Sequence, residues 1–514
     1  MKTSTLFLMA WIFVLCCSCS SKKSEIQTAP NIVLFLVDDM GWQDTSVPFW
    51  TEVTPFNKRY NTPNMERLAK EGMKFTQAYA TPVCSPTRIS LMTGMNAARH
   101  HVTNWTLKKH TLKHVEVKDS ILSYPMWNVN GLSPILGDSL AVHATPLPQL
   151  LHNKGYYTIH CGKAHFAAIG TPGENPKTLG FDVNIAGHAA GAPQSYLGTE
   201  NFGNGKANKK VWAVPGLDKY HGQDIFLTEA LTREALSTLD KVPNGQPFYL
   251  YMSHYAVHIP LYGDKRFLQK YINAGLDEKE AKYASMVEGM DKSLGDIMDY
   301  LEEKNLADNT IILFMSDNGG LSEHGRGGER NTHNKPLASG KGSMYEGGIR
   351  EPMIVKWPGV TKPAVKTDTK VIIEDFFPTI LEMADVHHFK TVQTIDGQSF
   401  VPVLQGKTVP YEEDRALIWH YPNKWGPKGP GIGAASTIRQ GDWKLVYFHH
   451  NGKLELFNIK NDIGESTDLI DRNPEKVKEL ANLLTKKLQS MNAQMPSFKA
   501  TGQQVPYPNR LLDK

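Results

Sequence analysis

The chain predicts an α/β fold with a mainly parallel central sheet flanked by helices, followed by a small C-terminal subdomain of antiparallel sheet plus one helix. Three observations predict it. Nearly continuous apolar runs, short and rich in β-branched residues, alternate with longer helical patterns up to about residue 405. Beyond that point the pattern changes to short strands separated by Gly-containing turns, closed by one helix. The length of 514 residues calls for a large domain and a smaller one, or two of comparable size.

In chain order, the N-terminus comes first as a processing signal. Lys2 precedes an apolar run from Leu6 to Leu15, then Cys16, Cys17, Ser18, Cys19 and the polar Ser20, Ser21, Lys22 and Lys23. The run is too short for a permanent membrane span. A Cys directly after such a run resembles a bacterial lipoprotein signal over residues 1–24, with Cys19 acylated; the alternative is an ordinary cleaved signal peptide. Both readings export the chain, to the periplasm or to the outer membrane as an anchored lipoprotein. Membrane contact is expected only through that N-terminal lipid.

The catalytic region is expected over 25–405. Asn31 to Val37 reads as a strand buried on both faces. Thr62 to Gly72 reads as a helix with Thr62 as cap, Pro63 in its first turn and Gly72 beyond its end. Tyr156 to Cys161, Phe248 to Met252 and Thr310 to Met315 are further buried strands. Ile225 to Leu239, Leu276 to Lys304 and Ile373 to Ala384 have helical patterns. In the C-terminal subdomain, 406–514, Pro422 to Gly433 reads as a loop. Ala435 to Arg439, Trp443 to Phe448 and Leu454 to Asn458 read as strands, and Pro474 to about Met491 as a helix.

Composition excludes some functions. A net charge of +4 with no Lys/Arg-rich run argues against a nucleic-acid partner. Without the leader only Cys84 and Cys161 remain, so the chain is no disulfide scaffold.

Three of the buried strands end in polar clusters: Asp38-Asp39, Ser253-His254 with His258 beyond, and Ser316-Asp317-Asn318. Ligands of open α/β sheets bind at the carboxyl ends of strands. Asp38, Asp39, Asp317 and Asn318 are therefore expected to converge, and four oxygen donors suit a hard cation such as Ca2+ or Mg2+. The plainer alternative has Asp38 and Asn318 capping turns. Cys84 precedes Ser85-Pro86, read as the cap and first turn of a helix, which places residue 84 at the helix's positive end. Arg88, four positions on, is expected to fold back over residue 84. A thiol there would have a lowered pKa and an oxyanion would be stabilised. The alternative is a buried free Cys beside a structural Arg.

Cys84-Ser85-Pro86-Thr87-Arg88, continuing through Leu91-Met92-Thr93-Gly94, matches the C-x-P-x-R signature of formylglycine-dependent sulfatases. The chain resembles that family from about residue 30 to 490, which implies the alkaline-phosphatase-like fold. Asn31–Asp39 with Gly41 resembles the family's first metal segment and Ser316–Gly320 its second. Gly155 to His165 resembles the segment supplying Lys163 and His165, with Ala164 and Cys161 departing from the usual residues. Tyr251 to Pro260 resembles the segment of the leaving-group histidine, His258, with Val257 where Pro is common. Lys341-Gly342 and Tyr345 to Arg350 resemble the block that supplies a second sulfate-binding lysine, Lys341.

The resemblance implies that a maturation enzyme oxidises Cys84 to formylglycine, and that one Ca2+, in preference to Mg2+, sits on Asp38, Asp39, residue 84, Asp317 and Asn318. The hydrated aldehyde would attack sulfur while Lys163, Lys341 and the cation offset charge. His258 would protonate the departing alcohol, and His165 would take the proton that lets sulfate leave. The substrate expected is a sulfated carbohydrate, cleaved in exo fashion. Two rivals are a phosphoester or phosphonate hydrolase on the same fold, and a glycan-binding protein with a dead site. Outside the catalytic set, His254 reads as a core histidine, Trp127 as a buried anchor, and His100, His101 and Trp105 as candidates for the pocket mouth. Arg326, Arg330 and His333 are candidates for recognising an anionic substrate.

Overall fold

A computed structural model describes residues 29–113, 117–205, 210–407 and 415–512. The leader and Cys16, Cys17 and Cys19 lie outside the described residues. The main sheet has nine strands: β1 (Asn31–Val37), β2 (Met73–Tyr79), β3 (Tyr157–Gly162), β4 (Val183–Ile185), β5 (Phe248–Ser253), β6 (Thr310–Ser316), β7 (Arg350–Lys356), β8 (Val365–Thr367) and β9 (Val371–Ile372). The spatial order is β8-β2-β7-β6-β1-β5-β3-β4, with β9 also paired to β2. All pairings are parallel except those of β7, which runs against both β6 and β2. Because β7 is reversed, its N-terminal end lies at the carboxyl ends of its neighbours.

Every β1 side chain is buried, as a strand covered on both faces requires. Ile32, Leu34 and Leu36 pack into one core with α2 (Cys84–Thr93) and α6 (Phe376–Met383). Val33, Phe35 and Val37 pack into the opposite core with α4 (Leu227–Leu239) and α5 (Glu278–Glu303). The result is three layers: helix, sheet, helix. Two shorter helices are α1 (Pro63–Glu71) and α3 (Leu147–Asn153).

Several expectations shift. Thr62 stands at the N-cap of α1, yet its hydroxyl makes no cap bond and meets Thr45 and Ser46 instead. The orphan amides of Asn64 and Met65 are accepted by the Asp291 carboxylate of α5, at 3.0 and 2.8 Å. The helix expected from Ile373 begins as one 3-10 turn before α6.

At the C-terminal end, β10 (Ala416–Tyr421), β11 (Ala435–Gln440), β12 (Trp443–Phe448) and β13 (Leu454–Asn458) form an antiparallel meander. One face carries Ile438, Leu445 and Leu456 against Val477, Leu480, Leu484 and Leu488 of α7 (Pro474–Ser490). The other face sends Leu417, Trp419, Tyr421, Val446 and Phe457 into the first main core. Trp419 Nε1 donates to the Ala80 carbonyl at 2.8 Å, pinning this sheet beside the loop that leads to Cys84. No helix among the described residues is long and apolar enough to cross a membrane.

Candidate active site

The apolar runs of β1, β3, β5 and β6 stop at one edge of the sheet, and the residues that follow them meet there. Asp39 and His165 take left-handed backbone conformations, φ 61° and 54°, which are uncommon for such residues and concentrate at sites where surrounding structure enforces them. From β2 the chain turns directly into α2. That helix starts at Cys84 itself with Val83 as N-cap, so Ser85 is not the cap; its hydroxyl accepts from Thr106 N at 3.1 Å. Residue 84 still occupies the positive end of the helix.

Arg88 sits beside Asp317, a carboxylate within 4.8 Å of Cys84 Sγ. Its Nε and Nη2 donate to Asp317 Oδ2 at 2.9 and 2.7 Å, and its Nη1 to the Lys163 carbonyl at 3.0 Å and Ser253 Oγ at 2.6 Å. The guanidinium thus fastens the ends of β3, β5 and β6 together, and the Asp317 charge raises its pKa against the cost of burial. The Cys84 thiol is pushed up, not down: burial outweighs the Lys163 and Lys341 ammonium groups. Both described cysteines are free.

Around Cys84 the charges interlock. Lys163 Nζ donates to Asp38 Oδ2 at 2.7 Å and Lys341 Nζ to Asp39 Oδ1 at 2.5 Å. Asn318 Nδ2 donates to Asp39 Oδ1 at 2.8 Å, and His258 Nε2 lies 3.5 Å from Asp39 Oδ2. Ligand atoms of Asp38, Cys84 and Asp317 lie within 4.8 Å of one another, as do those of Asp38, Asp39 and His258. Burial, with the Asp317 and Asp39 carboxylates adding to it, pushes Asp38 up despite Lys163. Asp39 is held low against its burial by Lys341, then His258 and Lys163.

Three buried oxygens, Asp38 Oδ1, Asp39 Oδ2 and Asn318 Oδ1, have no hydrogen-bond partner. Buried polar atoms in proteins are mostly paired, so three open oxygens gathered in one acidic cluster are the arrangement a cation would fill. The donor set is hard oxygen, which fits Ca2+ or Mg2+. All ten predicted residues are brought into this one region: Asp38, Asp39, Cys84, Arg88, Lys163, His165, His258, Asp317, Asn318 and Lys341.

A cavity of about 180 Å³ opens over Cys84, bounded by Asp39, His165, His258 and Lys341 and by the rings of Trp105, Trp212 and Trp425. His165 Nε2 donates to the Thr106 carbonyl at 2.8 Å, leaving Nδ1 as the lone-pair nitrogen, and that atom is unpartnered. Burial, then Lys163, holds the ring well below the usual histidine range. His258 Nδ1 donates to the Ile259 carbonyl at 2.7 Å, and burial lowers that ring to about 3.

Of the other candidates, Trp105 lines the pocket, whereas His100 and His101 turn away to Ser90 and to the Asn492 carbonyl. His254 is a core residue, bonded to Ser293 Oγ at 2.9 Å and packed on Phe35. Trp127 is buried in the first core. Arg326 is locked between Asp44 and Glu280, His333 is bonded to Ser322 and Gly327, and Arg330 lies on the surface; none of the three lines this pocket. Sequence reasoning missed Trp212, His324 and Trp425 as pocket residues. The one local signal was a tryptophan inside the Gly/Pro-rich loop at 422–433.

The pattern described as Sulfatase matches residues 30–386, and that described as N-sulphoglucosamine sulphohydrolase, C-terminal, matches residues 339–494. A protein named Sulfatase from Formosa agariphila is 30% identical, over 96% of this chain and 94% of its own. N-acetylgalactosamine-6-sulfatase of Homo sapiens is 28% identical, over 91% and 87% respectively. The crystal structure of Ps i-CgsB in complex with k-i-k-neocarrahexaose shares 28% identity at a TM-score of 0.70, covering 90% of this chain and 93% of that one. Sequence pattern, alkaline-phosphatase-like fold and strand-end site agree: the chain belongs to the sulfatase family, enzymes that hydrolyse sulfuric esters.

Proposed function

We propose that the protein is an exported sulfatase that removes sulfate from sulfated glycans in exo fashion, using a formylglycine made from Cys84 beside one bound Ca2+. The observation that carries this reading is the set of three unpartnered buried oxygens, on Asp38, Asp39 and Asn318, beside Cys84. The oxygen donor set suits either Ca2+ or Mg2+, and the family resemblance is what favours Ca2+. With both groups in place, the cation would supply positive charge against the sulfate oxygens and residue 84 an activated hydroxyl nucleophile.

The chain's own residues do the rest. Lys163 and Lys341 are held by Asp38 and Asp39, at a distance that lets their remaining N–H groups turn to the sulfate oxygens. Arg88 fixes the Asp317 carboxylate and so positions a metal ligand. His165 presents a buried, neutral Nδ1, the protonation state of a base that takes a proton from residue 84. His258 presents Nε2 to the pocket and, once protonated there, delivers the proton to the departing alcohol. The three tryptophans around the mouth suit the apolar face of a sugar ring. Export, with Cys19 lipidated, rests on the pattern of residues 1–24.

Peptide mass spectrometry of the Cys84 fragment tests the nucleophile, using protein co-expressed with a maturation enzyme. Aldehyde and hydrate at residue 84, with release of sulfate from sulfated sugars, are expected. A thiol that persists while a control sulfatase is converted would sink the reading. Faster turnover of an aryl phosphate than of an aryl sulfate would favour phosphoester chemistry.

A further inference from the structure

We propose that a second cavity beside the active-site pocket binds an anionic group, sulfate or carboxylate, on a neighbouring sugar, so that the enzyme selects oligosaccharides carrying more than one negative charge. The proposal rests on the sulfated-glycan reading above and names which glycans it prefers.

The cavity, about 320 Å³, shares two wall segments with the active-site pocket. Asn104 and Lys424 line it, and the residues next to them, Trp105 and Trp425, line the active-site pocket. The two spaces are therefore lined by neighbouring residues of the same two segments. The walls are fixed to each other: Asn423 Nδ2 donates to Thr103 Oγ1 at 2.9 Å, and Tyr421 OH to Asn104 Oδ1 at 3.1 Å.

Its charge is one-sided. Among the described residues, Lys118, Lys424 and Lys499 line it against one acid, Asp119. That carboxylate is already engaged: Oδ1 accepts from Ile121 N and Leu122 N at 2.7 and 2.8 Å, and Oδ2 from Tyr124 OH at 2.6 Å. Lys499 Nζ donates to the Asp119 carbonyl at 2.8 Å and Lys424 Nζ to the Lys118 carbonyl at 3.1 Å, each directing one of its three N–H groups to backbone. The remaining donors lie around a space whose partly exposed apolar walls, Leu112, Tyr124 and Pro125, suit the C–H face of a pyranose. Lys424 also pairs with the Asp119 carboxylate at 3.7 Å, which leaves an excess of two ammonium groups, on Lys118 and Lys499, to attract an anion, and apolar walls with an aromatic distinguish a sugar anion from a bare one.

The test is calorimetric binding to the full chain carrying Cys84→Ala, with disaccharide and hexasaccharide fractions of carrageenan and of chondroitin sulfate as probes. A hexasaccharide of at least one series is expected to bind tenfold or more tighter than its disaccharide. Lys118→Glu, which leaves both backbone ties intact, is expected to erase that gain, and Lys499→Glu likewise. Equal affinity for the two lengths in both series, or a gain that survives both charge reversals, overturns the proposal. Inorganic sulfate that removes the gain at concentrations where chloride does not would reduce the cavity to a simple anion site and also overturn it. Aryl-sulfate turnover by the matured wild-type chain, measured separately, tests the catalytic reading, so the two fail independently.

Discussion

Two buried clusters of charge lie close together after β1, and they differ in how completely their polar atoms are satisfied. In the first, Arg326 donates from Nε and Nη2 to Glu280 at 2.9 Å and from Nη1 to Asp44 Oδ2 at 3.0 Å, while Tyr283 OH reaches Asp44 at 2.7 Å. Its guanidinium lies 3.8 Å from the Tyr283 ring centre. In the second, Asp38, Asp39 and Asn318 each keep one buried oxygen without a partner. Both are ionic and both are buried, so burial and charge alone do not separate them. Completeness does: the first cluster is a finished structural brace, and the second is finished only by something that binds.

The comparison breaks most easily at the nucleophile. Cys84→Ala is expected to lower turnover of matured enzyme by at least about 10³-fold with little change in melting temperature. A variant that keeps a tenth of the activity would remove Cys84 from the chemistry. Arg326→Met is expected to do the opposite, costing about 3–5 kcal/mol of stability by leaving Asp44 and Glu280 uncompensated, while the enzyme that folds keeps its kcat. If kcat falls and the denaturation midpoint does not, the brace has been misread.

The second cluster is sharpened by metal linkage. Adding Ca2+ at about 100 times its Kd to chelator-treated protein is expected to raise stability by about 2.7 kcal/mol, seen as a higher melting temperature. Asp39→Asn is expected to abolish that response, and a response that persists would move the cation elsewhere. A more gradual effect, spread over several pH units, concerns Glu374, whose Oε1 accepts from Asn96 Nδ2 at 2.8 Å while Oε2 has no partner. Burial, with Asp375 adding to it, raises its carboxyl from 4.5 to about 8. Its native pKa lies above the unfolded one, so its contribution is fully present below pH 4.5 and is lost as pH rises through 8. Glu374→Gln is expected to flatten the stability profile by about 1 kcal/mol per pH unit inside that window. An unchanged profile would show that this carboxyl stays ionised when folded.

The parts of this molecule that could be read from sequence follow the same logic. Asn31–Val37 and Thr310–Ser316 were legible because burial on both faces forces a continuous apolar run, and the polar residues behind them stood out. Met73–Tyr79 was not, because Lys74, Thr76 and Gln77 are only partly covered and dilute the signal. Arg350–Lys356 was hidden by Pro352 and by its reversed direction in the sheet. At the site, residue types and family spacing located all ten predicted positions. Local helical spacing placed Arg88 near residue 84, but its ion-pair partner Asp317 was not legible because it arrives from 229 residues away. Trp212, His324 and Trp425 come from separate loops, and their meeting is a property of the tertiary fold alone.

The small C-terminal sheet is pinned to the Ala80 carbonyl by Trp419, and the loop that follows β10 carries Lys424 and Trp425. The residues proposed as nucleophile, acid, base and cation ligands come from residues 38–341, while part of the pocket mouth comes from a stretch beyond 416. One wall of the mouth is therefore carried on a length of chain separate from the strand-end cluster. The loop between β10 and β11 can diversify, or be exchanged between related enzymes, and change which sugar is admitted without disturbing the atoms that break the S–O bond.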